Sequence, residues 1–309
     1  MTMSEGVAVL KWGVERRLEF IEFRLFWEGG VNRSDIIQMF DVSVPQASKD
    51  LTLYQERAPQ NAIYDKSAKR YVASPQFSPL FLKPDPDGYL SRLRSLAEGM
   101  ADPGESWIAH PPETDIALTP HREVDSCVLK AILSAIRENR SIEVHYQSMS
   151  SSRTDPTWRR MTPHAFGYDG FRWHARAYCH IDDKFKDFLL PRILGVRDMD
   201  VPGPGGDQDA LWKKTFDIEI GPHPRLTTSQ RAVVAKDYGM TNERAVLTVR
   251  YAMLFYVLKR LGLLGDASQQ NPRTQHIVAL NAHETERALR RAEFDFGEVD
   301  QAPKVGGSA

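Results

Sequence analysis

Cysteine is nearly missing from this sequence: Cys127 and Cys179 are too few for a disulfide framework or for a four-cysteine zinc site. Long apolar runs are missing too. Nothing reaches the roughly 18 consecutive apolar residues of a membrane-spanning helix, and Met1 to Leu10 lacks the basic-then-apolar layout of an export signal. The expectation is a cytoplasmic protein that does not engage membranes. No GxSxG, HExxH or Walker-type phosphate loop occurs. His174 and His180 share a strand face but stand six residues apart, about 20 Å in an extended strand, too far to share one metal. The reading is therefore not an enzyme, with no cofactor and no metal. Excess charge is also absent, the net value being -1, so any nucleic-acid surface has to be local.

Locally, charge is uneven. Arg140 to Arg197 carries ten Arg or Lys against six Asp or Glu, and Ser43 to Val72 carries five against three. With 309 residues and 41% hydrophobic content, two or three compact units are expected. Stretches rich in Pro, Gly and Asp at Ser74 to Gly88, Gly99 to Asp115 and Met199 to Ala210 read as connectors. Helices are expected at Tyr89 to Glu98 and Glu123 to Glu138, then strands from Ser141 to Leu194. Strand and helix alternate thereafter, from Thr215 to the helix that starts near Glu284. The tail Gln301 to Ala309 reads as disordered.

Near the N-terminus, Asn32 can cap a helix carrying Ile36, Ile37 and Phe40, and Asp41-Val42 turns the chain into a second helix. Ser43-Val44-Pro45-Gln46 reads as a capping box, with Gln46 reaching back to Ser43. Val44, Ala47, Leu51 and Tyr54 then share an inward face, leaving Gln46, Lys49 and Thr52 outward. Two short helices joined this way form a helix-turn-helix. Its outward residues suit base edges in a major groove, where Gln pairs with adenine and Lys with guanine, while Ser48 suits a phosphate. Ile63-Tyr64 and Tyr71-Val72 flank a hairpin whose tip brings Lys66, Lys69 and Arg70 to the DNA backbone as a wing. The competing reading is an ordinary helix pair with a solvated charged turn. On the preceding helix, Leu18, Ile21 and Leu25 form one apolar stripe, and Phe20, Phe23 and Trp27 form a second. The second stripe is expected to await another domain or, by preference, a second subunit. This stretch resembles the winged helix-turn-helix of DeoR-like and WYL-type regulators.

From Phe171 to His180 the sequence alternates. Phe171, Trp173, Ala175, Ala177 and Cys179 take one face. Arg172, His174, Arg176, Tyr178 and His180 take the other, a row ill suited to burial without an anionic partner. Gly170-Phe171-Arg172-Trp173-His174-Ala175-Arg176-Ala177-Tyr178-Cys179, with Phe188 to Ile193 beyond, resembles a WYL domain, and specifically the BrxR and CapW group of regulators associated with phage-defence islands. Trp173 keeps the motif's tryptophan, whereas His174 and Ala175 replace its Tyr and Leu. The resemblance implies an Sm-like β-barrel and a pocket for a nucleic-acid or nucleotide-like anion. It assigns that pocket to His145, Tyr146, Ser148, Arg160, His164, His174, Arg176 and Arg192, with Tyr146 or Trp173 stacking on a base. The competing reading is a solvated sheet face with surface ion pairs.

The resulting expectation is a multidomain α+β chain. It has a winged helix-turn-helix at 1–80, a helical linker at 81–138, a WYL ligand-sensing domain at 139–198, and a small α+β extension at 211–300 that joins subunits. Its partners would be a second copy of itself, double-stranded operator DNA with an inverted repeat, and the anionic effector. The implied activity is repression of its own or a neighbouring phage-defence operon. The alternatives are an activator of the same architecture, or a single-stranded nucleic-acid-binding protein acting through the barrel.

Overall fold

The computed structural model describes residues 11–117, 120, 122–149 and 154–296, with side chains as far as 292. The tail expected to be disordered lies outside the described residues. The chain divides into two compact units, 1–119 and 120–309. No helix among the described residues is long and apolar enough to cross a membrane.

The first unit runs α1 (Trp12–Glu28), β1 (Gly30–Val31), α2 (Arg33–Phe40), α3 (Val44–Arg57), β2 (Ala62–Asp65), β3 (Arg70–Ala73) and α4 (Pro86–Ala97). A surface helix buries one stripe, but every residue of α1 from Phe20 to Leu25 is buried, so this helix is enclosed by its neighbours. It ends where Gly29 adopts φ 72° and returns its N–H to Arg24. Asn32 starts α2 with a complete capping box, accepting from Asp35 N while the Asp35 carboxylate accepts from Asn32 N. The turn into α3 is made by Asp41 at φ 47°. β1, β3 and β2 pair antiparallel in that order, so the wing hairpin carries a third, two-residue strand.

The aromatic stripe of α1 does not wait for a second subunit. Phe20 and Phe23 meet Trp107 edge-on at 5.6 and 5.4 Å, and Trp27 stacks on Tyr89 of α4 at 4.8 Å. The physical reason lies downstream. Residues 86–108 carry their own apolar side chains, Tyr89, Leu93, Trp107 and Ile108, and join the first unit's core instead of forming part of a linker. Glu22, fully buried, takes the backbone N–H groups of Leu80, Phe81 and Leu82 and the hydroxyl of Tyr54, which fixes the exit from the wing. Burial and the Glu22 charge hold the Tyr54 hydroxyl above its ordinary pKa of 10, so it stays a donor.

The second unit begins with α5 (Ser126–Arg137), followed by β4 (Ser141–Tyr146), β5 (Thr157–Tyr168), β6 (Trp173–Cys179), β7 (Lys184–Leu189) and β8 (Ile193–Asp200). Then come α6 (Ala210–Lys213), β9 (Thr215–Pro222), α7 (Thr228–Asp237), β10 (Ala245–Arg250), α8 (Tyr251–Arg260), β11 (Ile277–Ala279) and α9 (Ala282–Phe296). Val128, Ile132 and Ala135 of α5 seal one face of the five-stranded sheet over Ile142, Val144, Met161, Ala175, Ala177 and Cys179. The strand order is β7-β6-β5-β4-β8, and among the described residues no ladder joins β7 to β8. The sheet is open, in place of the expected closed Sm-like barrel. Leu189, at the end of β7, gives its N–H to the Tyr146 hydroxyl, and α9 packs against β7. The last three strands pair as β10-β9-β11 around a separate core of Ile218, Ile220, Leu254, Leu258 and Ile277.

Candidate functional site

In the first unit, Ser43 caps α3 by accepting from Gln46 N at 3.3 Å. The box is not completed. The Gln46 side chain donates instead to Asp50 at 3.0 Å, and buried Asp50 also binds Arg17 at 2.6 Å. Gln46 is therefore half-buried and tethered along the helix. Val44, expected in the core, is 53% exposed at the first residue of the helix. Ala47, Leu51 and Tyr54 do pack inward. Lys49 and Thr52 are exposed on the opposite side. The Ser48 and Thr52 hydroxyls donate back to the carbonyls of Val44 (2.9 Å) and Ser48 (3.0 Å), which commits their protons within the helix.

The wing turn is built by Asp65, whose carboxylate accepts from Ser67 N and Ala68 N; these two bonds hold it below its ordinary pKa of 3.8. Lys69 takes φ 51° at the turn, and both Lys66 and Lys69 are exposed. Arg70 is half-buried and lines a cleft against α3 with Arg33, a residue absent from the expected set. Arg33 stands at the start of α2, where the sequence offers only a helix-start signal; its link to α3, Nη1 to Ser48 Oγ at 3.1 Å, is a tertiary contact.

In the second unit the middle of the polar row of β6, His174 and Arg176, is buried, while Arg172, Tyr178 and His180 are half-buried. Arg176 is completely buried, and its guanidinium grips Asp209 through Nε (2.7 Å) and Nη2 (3.1 Å) and Asp187 through Nη1 (3.2 Å). The anionic partner the row demands is thus the chain's own, so this arginine faces carboxylates and not an open pocket. His164 gives Nε2–H to the same Asp209 at 3.0 Å, and Asp209 also caps α6 through Trp212 N. Burial works against the Asp209 charge, but the His164 and Arg176 hydrogen bonds outweigh it and hold the carboxyl well below 3.8. Tyr256 of α8 donates to the second oxygen of Asp187 at 3.0 Å; burial and the Asp187 charge raise its pKa strongly and keep it a donor.

His174, also buried, gives Nε2–H to Asp169 at 3.1 Å and packs on the Tyr256 ring. Asp169 is pushed up by burial, yet the Arg172 and His174 hydrogen bonds bring it down to about 2. Burial and the nearby Arg160 charge lower His180, while burial raises the Cys179 thiol. His164, His174 and Arg176 therefore tie the sheet to α6 and α8.

The other expected ligand residues are spread out. Arg160 binds Ser141 and lies near Glu143 and Asp200 at the β4 and β8 side of the sheet. His145 stacks on Trp158 at 5.0 Å, and Trp158 also meets Arg197 at 4.0 Å. Trp173 is half-exposed beside Tyr168 at the hairpin mouth.

Tyr146, Ser148 and Arg192 lie close along the chain path, since the Arg192 carbonyl accepts from Gln147 N. Beside Tyr146 is Arg159, again outside the expected set. It is 2% exposed, its guanidinium sits 5.5 Å from the Tyr146 ring, Nε donates to the Thr157 hydroxyl at 3.3 Å and Nη1 lies 4.0 Å from Asp182, while Nη2 finds no acceptor among the described residues. The alternation of β4 offered a signal. Ile142, Val144 and Tyr146 face the core, and the residue paired with Val144 is Arg159, not Arg160. No group of three or more His, Cys, Asp or Glu among the described residues could hold a metal.

Comparison with known families matches residues 13–95 to the BrxR transcriptional regulator winged helix-turn-helix domain, 128–198 to the WYL domain, and 215–285 to the BrxR transcriptional regulator C-terminal dimerization domain. The chain is 40% identical over 288 residues to the DNA-binding transcriptional repressor CapW of Stenotrophomonas maltophilia, covering 93% of this chain and 96% of that protein. It is 36% identical over 290 residues to CapW of Escherichia coli (strain KTE188), covering 93% and 96%. For CapW of Pseudomonas aeruginosa the identity is 37% over 285 residues, covering 91% and 93%. Among solved structures, proteasome accessory factor B/C of Arthrobacter aurescens aligns with 96% of this chain and 52% of its own, at 14% identity and a TM-score of 0.22, too low to bear on the fold.

Proposed function

The chain belongs to the BrxR-type family of WYL-domain transcriptional regulators that includes the CapW repressors, and from that premise we propose that it is a homodimeric repressor that binds an inverted-repeat operator and releases it when an anionic, nucleotide-like effector occupies the WYL domain. The operator lies upstream of its own gene or of a neighbouring phage-defence operon. The observation that carries the DNA-binding part is the outer side of α3. Lys49 and Thr52 are exposed there, beside a wing turn bearing exposed Lys66 and Lys69. Lys49 reads a base edge, and Gln46, Ser43, Ser48 and Thr52 hold it in register.

For the effector, support comes from Tyr146, Ser148, Arg159 and Arg192. A buried guanidinium with an unsatisfied N–H favours an anion, and Tyr146 beside it offers a ring. A shift of the sheet at that end would reach the dimerization domain through Arg176, Asp209, Asp187 and Tyr256.

Titration of the duplex upstream of its gene, with and without a short single-stranded oligonucleotide, tests both parts. Lys49→Ala should weaken operator binding by about 1–3 kcal/mol, roughly 5- to 150-fold, and barely change binding to a scrambled duplex. Arg159→Met should keep operator affinity and lose the oligonucleotide response. Equal losses on both duplexes for Lys49→Ala would reject base readout by α3. An oligonucleotide response intact in Arg159→Met would reject the effector site.

A further inference from the structure

Between α3 and the wing is a cleft of about 250 Å³ lined by Asn32, Arg33, Ser48, Thr52, Lys69 and Arg70, among others, with three cations and no carboxylate in its lining. Its volume falls below the roughly 300–1,000 Å³ of pockets that take drug-sized ligands. We propose that this cleft seats one backbone phosphodiester of duplex DNA, clamped by the guanidinium groups of Arg33 and Arg70 with Lys69 at its mouth. This inference rests on the operator-binding reading above and adds the residues that set register on the duplex independently of base sequence.

Three observations carry it. Arg70 Nε is buried and finds no hydrogen-bond acceptor among the described residues, so the guanidinium is not spent on a hydrogen bond from Nε within the chain and its outer donors are left for an anion in the cleft. Asp65 faces Arg70 in the β2–β3 ladder and attracts it, yet its carboxylate is engaged by the turn N–H groups of Ser67 and Ala68 and makes no hydrogen bond to the guanidinium among the described residues. Second, the Arg70 side chain folds across Gly30. A Cβ at Gly30 would lie 2.9 Å from Arg70 Nε and 2.8 Å from the Tyr71 carbonyl oxygen, so only glycine in β1 lets the arginine reach the cleft. Third, Ser48 orients Arg33. Its hydroxyl donates to the Val44 carbonyl and accepts from Arg33 Nη1, which holds the fork against α3 with its remaining donors unspent. Ser48, whose proton is already committed, acts as a positioning residue and not as the phosphate donor.

The test is the salt dependence of duplex binding by the full chain. Each phosphate contact contributes about -0.9 to the slope of log K against log salt, so raising salt from 50 to 200 mM costs about threefold to fourfold per contact. A homodimer carries one such seat in each subunit, so Arg33→Gln and Arg70→Gln should each shrink the slope by up to about 1.8 and the double variant by no more, equally on operator and on scrambled duplex, leaving their affinity ratio unchanged. Arg33 is exposed and its replacement should not alter the melting temperature; Arg70→Lys, which keeps the charge and loses the fork, should keep the slope while weakening binding. Operator duplexes with single methylphosphonates should include one position whose neutralisation weakens the wild type several-fold and leaves the Arg33→Gln, Arg70→Gln double variant unaffected. Unchanged slopes in both Gln variants, or losses confined to the operator, would overturn the phosphate seat. A wild type that retains neither duplex would instead remove the DNA-binding reading on which the seat depends.

Discussion

Replacing Asp209 by Asn tests the packing of the second unit most sharply, because it changes charge at nearly constant shape. The wild-type carboxylate accepts two bonds from Arg176, one from His164 and one from Trp212 N, and its side chain is 1% exposed. An amide there turns an NH₂ toward the Arg176 donors and takes away a carboxylate which that completely buried guanidinium grips, while its Asp187 contact remains. Breaking a buried ion pair from one side costs about 3–5 kcal/mol. The surviving Asp187 contact puts the expectation near the lower end, about 3 kcal/mol. At roughly 2–4 °C per kcal/mol for a unit of this size, the melting temperature should fall by about 6–12 °C at neutral pH.

Differential scanning calorimetry on Asp209→Asn, Arg176→Met and the double variant measures this. Each single change strands a buried charge that the double change removes, so the double variant should be less damaged than the sum of the singles by about 1–3 kcal/mol. The sign with pH follows from the depressed Asp209 carboxyl. Its contribution is fully present above its ordinary value of 3.8 and is lost as pH falls through the lower folded value. A single-variant loss under about 1 kcal/mol, or strict additivity of the pair, would refute the idea that Arg176 and Asp209 bind the sheet to α6 as one coupled unit.

Two further outcomes follow from the same physics. Glu22→Gln should cost on the order of 3 kcal/mol through lost charge-assisted bonds and should speed hydrogen exchange at the amides of Leu80, Phe81 and Leu82, which the carboxylate now holds; slow exchange there in the variant would contradict the role given to Glu22. Asp169, brought from 3.8 to about 2, contributes on the order of 2 kcal/mol at neutral pH. The stability gap between wild type and Asp169→Asn should therefore hold above about pH 4 and close as pH falls through about 2, and a gap independent of acid would count against the His174–Asp169 pair.

Local patterns were legible where a residue's role depends on near neighbours. The caps at Asn32 and Ser43, the inward row Ala47, Leu51 and Tyr54, and the wing around Lys66 and Lys69 all follow from periods of 3.6 and 2 and from short side chains meeting adjacent backbone. The start of α8 at Tyr251 was not legible in that way, because the backbone bond from Tyr251 N to the Lys214 carbonyl that anchors it joins residues far apart in sequence.

What the sequence by itself determined was the order of elements, the helix-turn-helix with its basic hairpin, and the existence of a polar row on β6 that must meet negative charge. Only the tertiary structure decided where that charge comes from. Asp187 of β7 and Asp209 before α6 reach Arg176 from separate parts of the chain, Tyr256 of α8 holds the second oxygen of Asp187, and residues 86–108 return to cover the aromatic stripe of α1. Alternation states which side of a strand a residue takes, but carries no information about what packs on that side. That is why Arg33 became visible only once α2 and the wing closed on α3.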